Sequence, residues 1–172
     1  PFAVNLSFGP CPQIEEMFEV CLEEKIEIIE TAGYKPDLFA ARIEDSDMKW
    51  IHKCTRVKDA VHAEHIGADA IIIVGLEGVG FKNPDQLPTL INMTTGRRAL
   101  NVPLIAAGGL GDASGFLGAL GMGADGIMLA TVLMATKECP ITDRLKEGMV
   151  NARADDPQLR HRVLTTADPA EY

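Results

Sequence analysis

Short apolar runs alternate along the chain with longer segments in which apolar residues recur at the spacing of a helix. The runs are too short for helices and are bounded by glycine, proline or polar residues, which is typical of buried strands. They predict strands over Phe2–Leu6, Ile26–Thr31, Trp50–Cys54, Ala70–Val74, Pro103–Ala107 and Gly126–Ala130. Because a helical segment separates consecutive runs, the pattern indicates βα units and parallel strands.

The helical segments also predict which side chains face the core. The first helix opens at Pro12 and Gln13, and its inward face is Ile14, Met17, Phe18 and Cys21. Thr55 is expected to cap the helix after the third strand. That helix turns three residues inward, namely Val57, Ala60 and Val61. Further helices are predicted over Leu38–Ile43, over Leu87–Leu100, after Asp112, and through Leu133 and Met134.

One internal repeat supports this layout. Residues 67–69 (GAD) recur as residues 123–125, each time between a helix and a buried strand. The glycine can end the helix, and we interpret Asp69 and Asp125 as structural. Repeated βα units are typical of a (β/α)8 TIM barrel, although a doubly wound open sheet also contains them. A closed barrel needs eight units in about 250 residues, so the sequence predicts an incomplete α/β barrel with about six of the eight.

The glycine-rich segment after the fifth strand is the strongest candidate for a binding site. Gly108, Gly109 and Gly111 follow the strand directly, and Asp112 can cap the next helix. Glycines allow backbone N–H groups to approach an anion, and a helix start favours negative charge. A second turn at Ala130 and Thr131 should lie beside the first, because the two strands are parallel neighbours. Together they predict a phosphate site, and the alternative is that these glycines only make tight turns.

Composition and charge narrow the class of protein. The 172 residues are 47% hydrophobic with a net charge of −9, so nucleic acid and anionic membranes are poor partners. No apolar stretch has transmembrane length and no signal peptide is visible. The four cysteines lack CxxC spacing, which indicates reduced thiols in a cytoplasmic protein. His62 and His65 have no third ligand nearby, so no metal site is expected. The expected partner is a small-molecule substrate, and a homo-oligomer is left open.

Three segments carry a resemblance to a known family. They are HKCTRVKDAVHAEHIGADAIIIVGLEGVGF, PLIAAGGLGD and GADGIMLATVLMATKECPI. The chain resembles the nitronate monooxygenases, formerly 2-nitropropane dioxygenases, whose superfamily includes the flavin-dependent enoyl-ACP reductases. The resemblance implies an FMN-binding barrel portion over residues 1–140 and an incomplete helical or lid extension over residues 141–172. Relative to the family, the first βα unit and the final strand are missing, so the sequence is expected to be either a fragment or a truncated chain.

The resemblance also implies a set of cofactor-binding positions. In this sequence they are Asn5, Lys53, Gly75, Gly108, Gly109, Ala130 and Thr131. A buried lysine needs an anionic partner, which favours a flavin contact for Lys53 unless its side chain faces outward between sheet and helix. On the same strand, His52 is predicted to be a packing or surface histidine, and Cys54 a buried thiol.

The loop after the fourth strand departs from the family. The family commonly places a histidine there as base or substrate-orienting group, and this chain has Phe81 at that position. A phenyl ring has no proton to exchange. Lys82 and Glu77 are therefore the candidate catalytic residues.

The resemblance implies an FMN-dependent oxidoreductase that oxidatively denitrifies alkyl nitronates with O2. The first alternative is a flavin enone or enoyl-thioester reductase that takes electrons from NAD(P)H. A second is a phosphate-binding barrel lyase or isomerase without flavin, with Lys53 forming a Schiff base. A third is a catalytically inactive structural or binding module.

Overall fold

The computed structural model describes residues 1–8, 11–33, 36–78, 80, 83 and 85–156. Within these ranges six parallel strands form one curled sheet in the order of the sequence. The strands are β1 (Ala3–Ser7), β2 (Ile28–Ala32), β3 (Lys49–Cys54), β4 (Ala70–Val74), β5 (Leu104–Ala107) and β6 (Gly126–Met128). The helices are α1 (Ile14–Glu23), α2 (Asp37–Glu44), α3 (Val57–His65), α4 (Thr89–Ala99), α5 (Ala113–Gly121), α6 (Thr131–Met134) and α7 (Asp143–Asn151). The predicted incomplete barrel is confirmed as a half-barrel.

The two faces of the sheet have different surroundings because successive side chains point to opposite sides. The outer face packs against the helices and holds the larger core, with Ile29, Trp50, Ile71 and Leu104 almost fully buried. The inner, concave face carries a smaller apolar cluster centred on residues 72, 74 and 107. Functional side chains that point into a barrel must therefore come from the inner face.

Three details of the predicted helices are wrong. Thr55 does not cap α3, because Arg56 occupies the N-cap position and makes no side-chain capping bond. Met17 and Val61 were expected to face inward, but they are 40% and 39% exposed. Smaller residues, including Ala60 on α3, fill the contact with the sheet. Helical spacing located the buried stripe but overestimated its width.

The repeated aspartates join neighbouring strands at the amino ends of the sheet. Asp69 Oδ2 accepts a hydrogen bond from Trp50 N at 2.8 Å, and Asp125 Oδ2 accepts one from Leu104 N, also at 2.8 Å. In return, Asp69 N donates to Trp50 O at 2.8 Å and Asp125 N donates to Leu104 O at 2.7 Å. Gly67 and Gly123 have positive φ, which allows the turn before each aspartate. Both aspartates are therefore structural, as the sequence predicted.

The C-terminal part adds one helix to the half-barrel. Helix α7 lies in the predicted extension over residues 141–172, whose last part, residues 157–172, is outside the described residues. The domain boundary near residue 140 stays a prediction. Among the helices that the structure describes, none has the length and apolar character needed to span a bilayer.

Candidate functional site

A cavity of about 620 Å³ opens at the carboxyl ends of β5 and β6. Its wall includes the turn after β5, the turn after β6, and the inner-face side chains of Val74 and Met128. Pockets for small molecules and cofactors have volumes of about 300–1,000 Å³ and mostly apolar walls with a few polar groups. The cavity has the size and lining expected of such a site.

The turn after β5 uses backbone conformations that favour glycine. Gly108 has a φ of +97° and Gly109 has a φ of +72°, both in the left-handed region. In the part of the chain that is described, the N–H groups of Gly109, Leu110 and Gly111 donate to no protein acceptor. Asp112 caps α5 as predicted, because its Oδ1 accepts a hydrogen bond from Gly115 N at 2.8 Å. The turn therefore presents several backbone donors beside the cavity.

The turn after β6 lies next to the turn after β5, as predicted. Strands β5 and β6 are parallel neighbours, with Ala107 paired with Met128. Ala130 and Thr131 then line the same cavity as Gly108 and Gly109. Thr131 is the first residue of α6, since the strand ends at Met128 and not at the predicted Ala130.

Lys53 lies on the inner face of β3, so the alternative of an outward-facing lysine is wrong. Its Nζ is 3.5 Å from Glu30 Oε1, and the two side chains are 24% and 14% exposed. Lys53 lines the large cavity and also a smaller one of about 140 Å³, which Ser7 and Ala32 share. A cation held in a partly desolvated ion pair thus stands at the junction of the two cavities.

Glu30 and Ser7 are site residues that sequence reasoning missed. A usable signal for Glu30 was present, because a carboxylate interrupts the apolar run IEIIET in the predicted second strand. Carboxylates are seldom buried without a partner. Glu30 on β2 and Lys53 on β3 were therefore a pair that strand alternation could have suggested.

Asn5 and Gly75 are placed differently from the other predicted cofactor positions. Asn5 is exposed on β1 opposite Glu30, and it does not line the larger cavity. Gly75 is buried, and a Cβ there would lie 2.1 Å from Thr89 Oγ1. The geometry explains Gly75 by close packing against the start of α4.

Glu77 lines the large cavity, but its carboxylate is already engaged. Glu77 Oε2 accepts a hydrogen bond from Thr89 N at 2.9 Å and lies 2.8 Å from Thr89 Oγ1. A carboxylate at this position satisfies a free N–H at the helix start and suits the helix dipole. Lys82 and Phe81, the other residues of the predicted catalytic loop, lie outside the described residues.

The remaining candidate residues are on the outer face of the sheet or on the helix α3 that covers it. His52 is fully buried, its Nδ1 is 2.8 Å from Thr31 Oγ1, and burial lowers its pKa to about 4. Cys54 is buried as predicted, and burial raises the pKa of its thiol. His62 pairs with Asp37, Nε2 to Oδ1, at 2.8 Å. Among the described residues, no three histidine, cysteine or acidic side chains are grouped so as to hold a metal ion.

Comparisons with known proteins agree with this geometry. A probable nitronate monooxygenase from Staphylococcus aureus (strain MSSA476) is 28% identical over 134 residues, covering 73% of this chain and 38% of that protein. FabK from Thermotoga maritima superimposes with a TM-score of 0.85 at 29% identity, covering 91% of this chain and 49% of FabK.

A third comparison supports the fold alone. Nitroalkane oxidase from Streptomyces ansochromogenes superimposes with a TM-score of 0.74 at 21% identity, over 92% of this chain and 56% of that protein. The chain thus spans 38% of the curated relative and about half of each solved structure.

The family model described as nitronate monooxygenase matches residues 3–167. Because that range is nearly the whole sequence, the chain belongs to the nitronate monooxygenase family.

Proposed function

We propose that this chain supplies the FMN-binding part of a flavin-dependent oxidoreductase. The observation that carries the proposal is the shared cavity, where the turns after β5 and β6 and the Lys53 side chain meet around about 620 Å³. Membership of the family supports the proposal, and it removes the support for a lyase or isomerase that works through a Schiff base. The residues present fit the cofactor, since backbone donors, a cation and an apolar wall surround one space.

The phosphate of FMN is assigned to the two turns. The N–H groups of Gly109, Leu110 and Gly111 are unpaired among the described residues and can donate to phosphate oxygens. The Thr131 hydroxyl can add a donor from the neighbouring turn, where Ala130 leaves room beside it. Anions bind where several N–H groups converge, because each bond is charge-assisted.

Lys53 is proposed to act on the part of the bound flavin that accepts electrons. When bound, the flavin supplies electron or hydride transfer, which the protein tunes by charge and position. The Lys53 ammonium can stabilise negative charge that develops beside it. Glu30 holds that ammonium at 3.5 Å, longer than a good hydrogen bond, so Lys53 can turn toward an anionic ligand. The apolar side chains of Val74 and Met128 form part of the same wall.

The proposed reaction is oxidation of alkyl nitronates with O2. A specific observation favours a second candidate, an NAD(P)H-dependent enone or enoyl-thioester reductase, because FabK is similar over 91% of this chain and the family histidine is replaced by Phe81. For either reaction, Lys82 is proposed to act on the substrate. Glu77 is a weaker candidate because Thr89 occupies its carboxylate. A cytoplasmic location and a homo-oligomer stay predictions.

The experiment is an FMN titration followed by two assays on the flavin-loaded protein. We expect flavin absorbance bands on the purified protein, and turnover either of a nitronate with O2 or of an enone with NADH. Lys53→Met should weaken FMN binding or slow flavin reduction about tenfold, the effect of one charge-assisted contact.

Lys49→Met is the matched control. Lys49 lies on the same strand and face as Lys53, but it is exposed and pairs with Asp69 at the amino end. We expect this substitution to leave FMN binding unchanged. A colourless protein that shows no saturable FMN binding would sink the proposal.

A further inference from the structure

Thr89 joins three segments behind the glycine-rich turn. It is the first residue of α4 and is 5% exposed. Its hydroxyl lies 2.8 Å from the carbonyl oxygen of Gly108 and 2.8 Å from Glu77 Oε2, and it can donate its proton to either. Its backbone N–H donates to the same Glu77 oxygen at 2.9 Å. One side chain therefore connects the start of α4, the loop after β4 and the turn after β5.

The three segments pack tightly where they meet. A Cβ on Gly75 would lie 2.3 Å from Thr89 N, and a Cβ on Gly108 would lie 2.8 Å from Gly78 N. Such distances are shorter than atoms tolerate, so a larger residue at either position would force the segments apart. The glycines of the loop after β4 and of the turn after β5 thus let the two backbones pack directly against each other. The Thr89 side chain lies between them.

The contact with the Gly108 carbonyl has a consequence for the Gly109 N–H. Both groups belong to one planar trans peptide, in which the C=O and the N–H point in opposite directions. Glycine flanks this peptide on both sides, with φ of +97° and +72°, so little steric resistance opposes its rotation. The Thr89 hydroxyl holds the carbonyl on the α4 side, and the Gly109 N–H must then point away from α4.

We propose that Thr89 is a positioning residue that orients the Gly109 N–H toward the phosphate of the cofactor. Glu77 supports it by accepting a hydrogen bond from the Thr89 N–H, which holds the start of α4 against the turn while the hydroxyl proton is donated to the Gly108 carbonyl. The inference rests on the proposed function, because the phosphate is that of FMN. It gives Glu77 a role in the architecture of the cofactor site in place of proton transfer.

The test compares Thr89→Val, which removes the hydroxyl and keeps the branched shape, with Thr89→Ser, which keeps the hydroxyl. FMN and riboflavin are titrated into each variant by flavin fluorescence, because riboflavin lacks the phosphate. We expect Thr89→Val to weaken FMN binding about 10- to 100-fold, as for a lost bond to a charged group. Riboflavin binding should change less than about twofold, and Thr89→Ser should restore FMN binding.

Thr94→Val is the matched control on the same helix, because the Thr94 hydroxyl donates within α4 to Leu90 O at 3.0 Å. It should leave both affinities unchanged. If Thr89→Val loses equal affinity for FMN and for riboflavin, the proposal is overturned in favour of a general packing role. An unchanged FMN affinity in Thr89→Val would overturn it as well.

A second measurement separates this inference from the flavin assignment. Inorganic phosphate is titrated while the amide shift of Gly109 is followed by NMR, with no flavin present. A wild-type shift that Thr89→Val abolishes supports the positioning role even if FMN fails to bind, in which case only the proposed function falls. Equal shifts in both proteins, or none in the wild type, overturn the positioning role.

Discussion

Strands β2 and β3 carry two polar pairs on opposite faces, and the pairs differ in kind. On the outer face Thr31 Oγ1 lies 2.8 Å from His52 Nδ1 and accepts a hydrogen bond from Trp50 Nε1 at 2.7 Å. On the inner face Lys53 and Glu30 form an ion pair at 3.5 Å beside two cavities. The outer pair lies under the helices, whereas the inner pair keeps 24% and 14% of its side-chain surfaces exposed.

The comparison shows that burial alone does not identify a residue that borders a cavity. His52 is more buried than Lys53 and burial lowers its pKa to about 4, yet it lines neither of the two cavities. Lys53 has a looser partner and borders empty space, so it can change partners. The outer pair should therefore affect stability and the inner pair should affect binding.

The largest expected effect is a pH dependence of stability through His52. Burial lowers the pKa of folded His52 to about 4, a shift that the Asp37 carboxylate opposes only in part, while an unfolded histidine titrates near 6.5. Between these values the unfolded chain binds more protons, so the free energy of unfolding falls as the pH falls. By pH 4 the free energy of unfolding should be lower by roughly 3 kcal/mol.

Urea denaturation at pH values between 7.5 and 4.5 measures this effect. His52→Asn should flatten the profile between pH 6.5 and 5, whereas His65→Gln, a change at an exposed histidine of α3, should leave the slope in place. An identical slope in wild type and His52→Asn would contradict the assignment.

The next largest expected effect is a loss of stability on removal of the Thr31 hydroxyl, which lies between Trp50 and His52. Thr31→Val keeps the side-chain shape but leaves the buried Trp50 N–H without its acceptor, which should lower the free energy of unfolding by about 2 kcal/mol. Thr31→Ser, which retains the hydroxyl, is the control and should cost less. Equal losses in the two variants, measured by urea denaturation at pH 7.5, would argue against the hydrogen-bond explanation.

The smallest effect is expected on the inner face. A double-mutant cycle of Glu30→Gln and Lys53→Met should give a coupling energy below about 1 kcal/mol, because the charges are partly hydrated and 3.5 Å apart. The same urea denaturation at pH 7.5 measures it. A coupling as large as the loss in Thr31→Val would remove the contrast between the two faces.

The sheet could be predicted from sequence because most of its strands are short, mainly apolar runs between glycines and polar turns. Ala70–Val74 was predicted to the residue, since both faces of β4 are buried and the run ends at Gly75. The turn after β5 was located for a related reason, because glycines with positive φ at a strand end leave a visible pattern. Parallel order then places the turn after β6 beside it.

The contacts around the site could not be predicted in the same way. Thr89 follows a proline in a polar segment, and nothing in the local pattern indicates that its hydroxyl would reach Gly108, 19 residues away. Glu77 appeared catalytic because it stands in the loop at a strand end, yet its partner depends on where α4 begins. Such contacts depend on tertiary packing, which hydrophobic spacing does not encode.

The aspartate junctions at residues 69 and 125 also bear on how the sheet can assemble. Each carboxylate accepts a hydrogen bond from the strand immediately before it, 19 and 21 residues back along the chain, and Asp125 also pairs with Arg97 of α4. Among the residues that the structure describes, each strand likewise pairs only with its neighbours in sequence. Loop-closure entropy is modest at such separations, so each βα unit can dock on its predecessor in turn. Growth of this kind adds each strand to the edge of the sheet through contacts that are close along the chain.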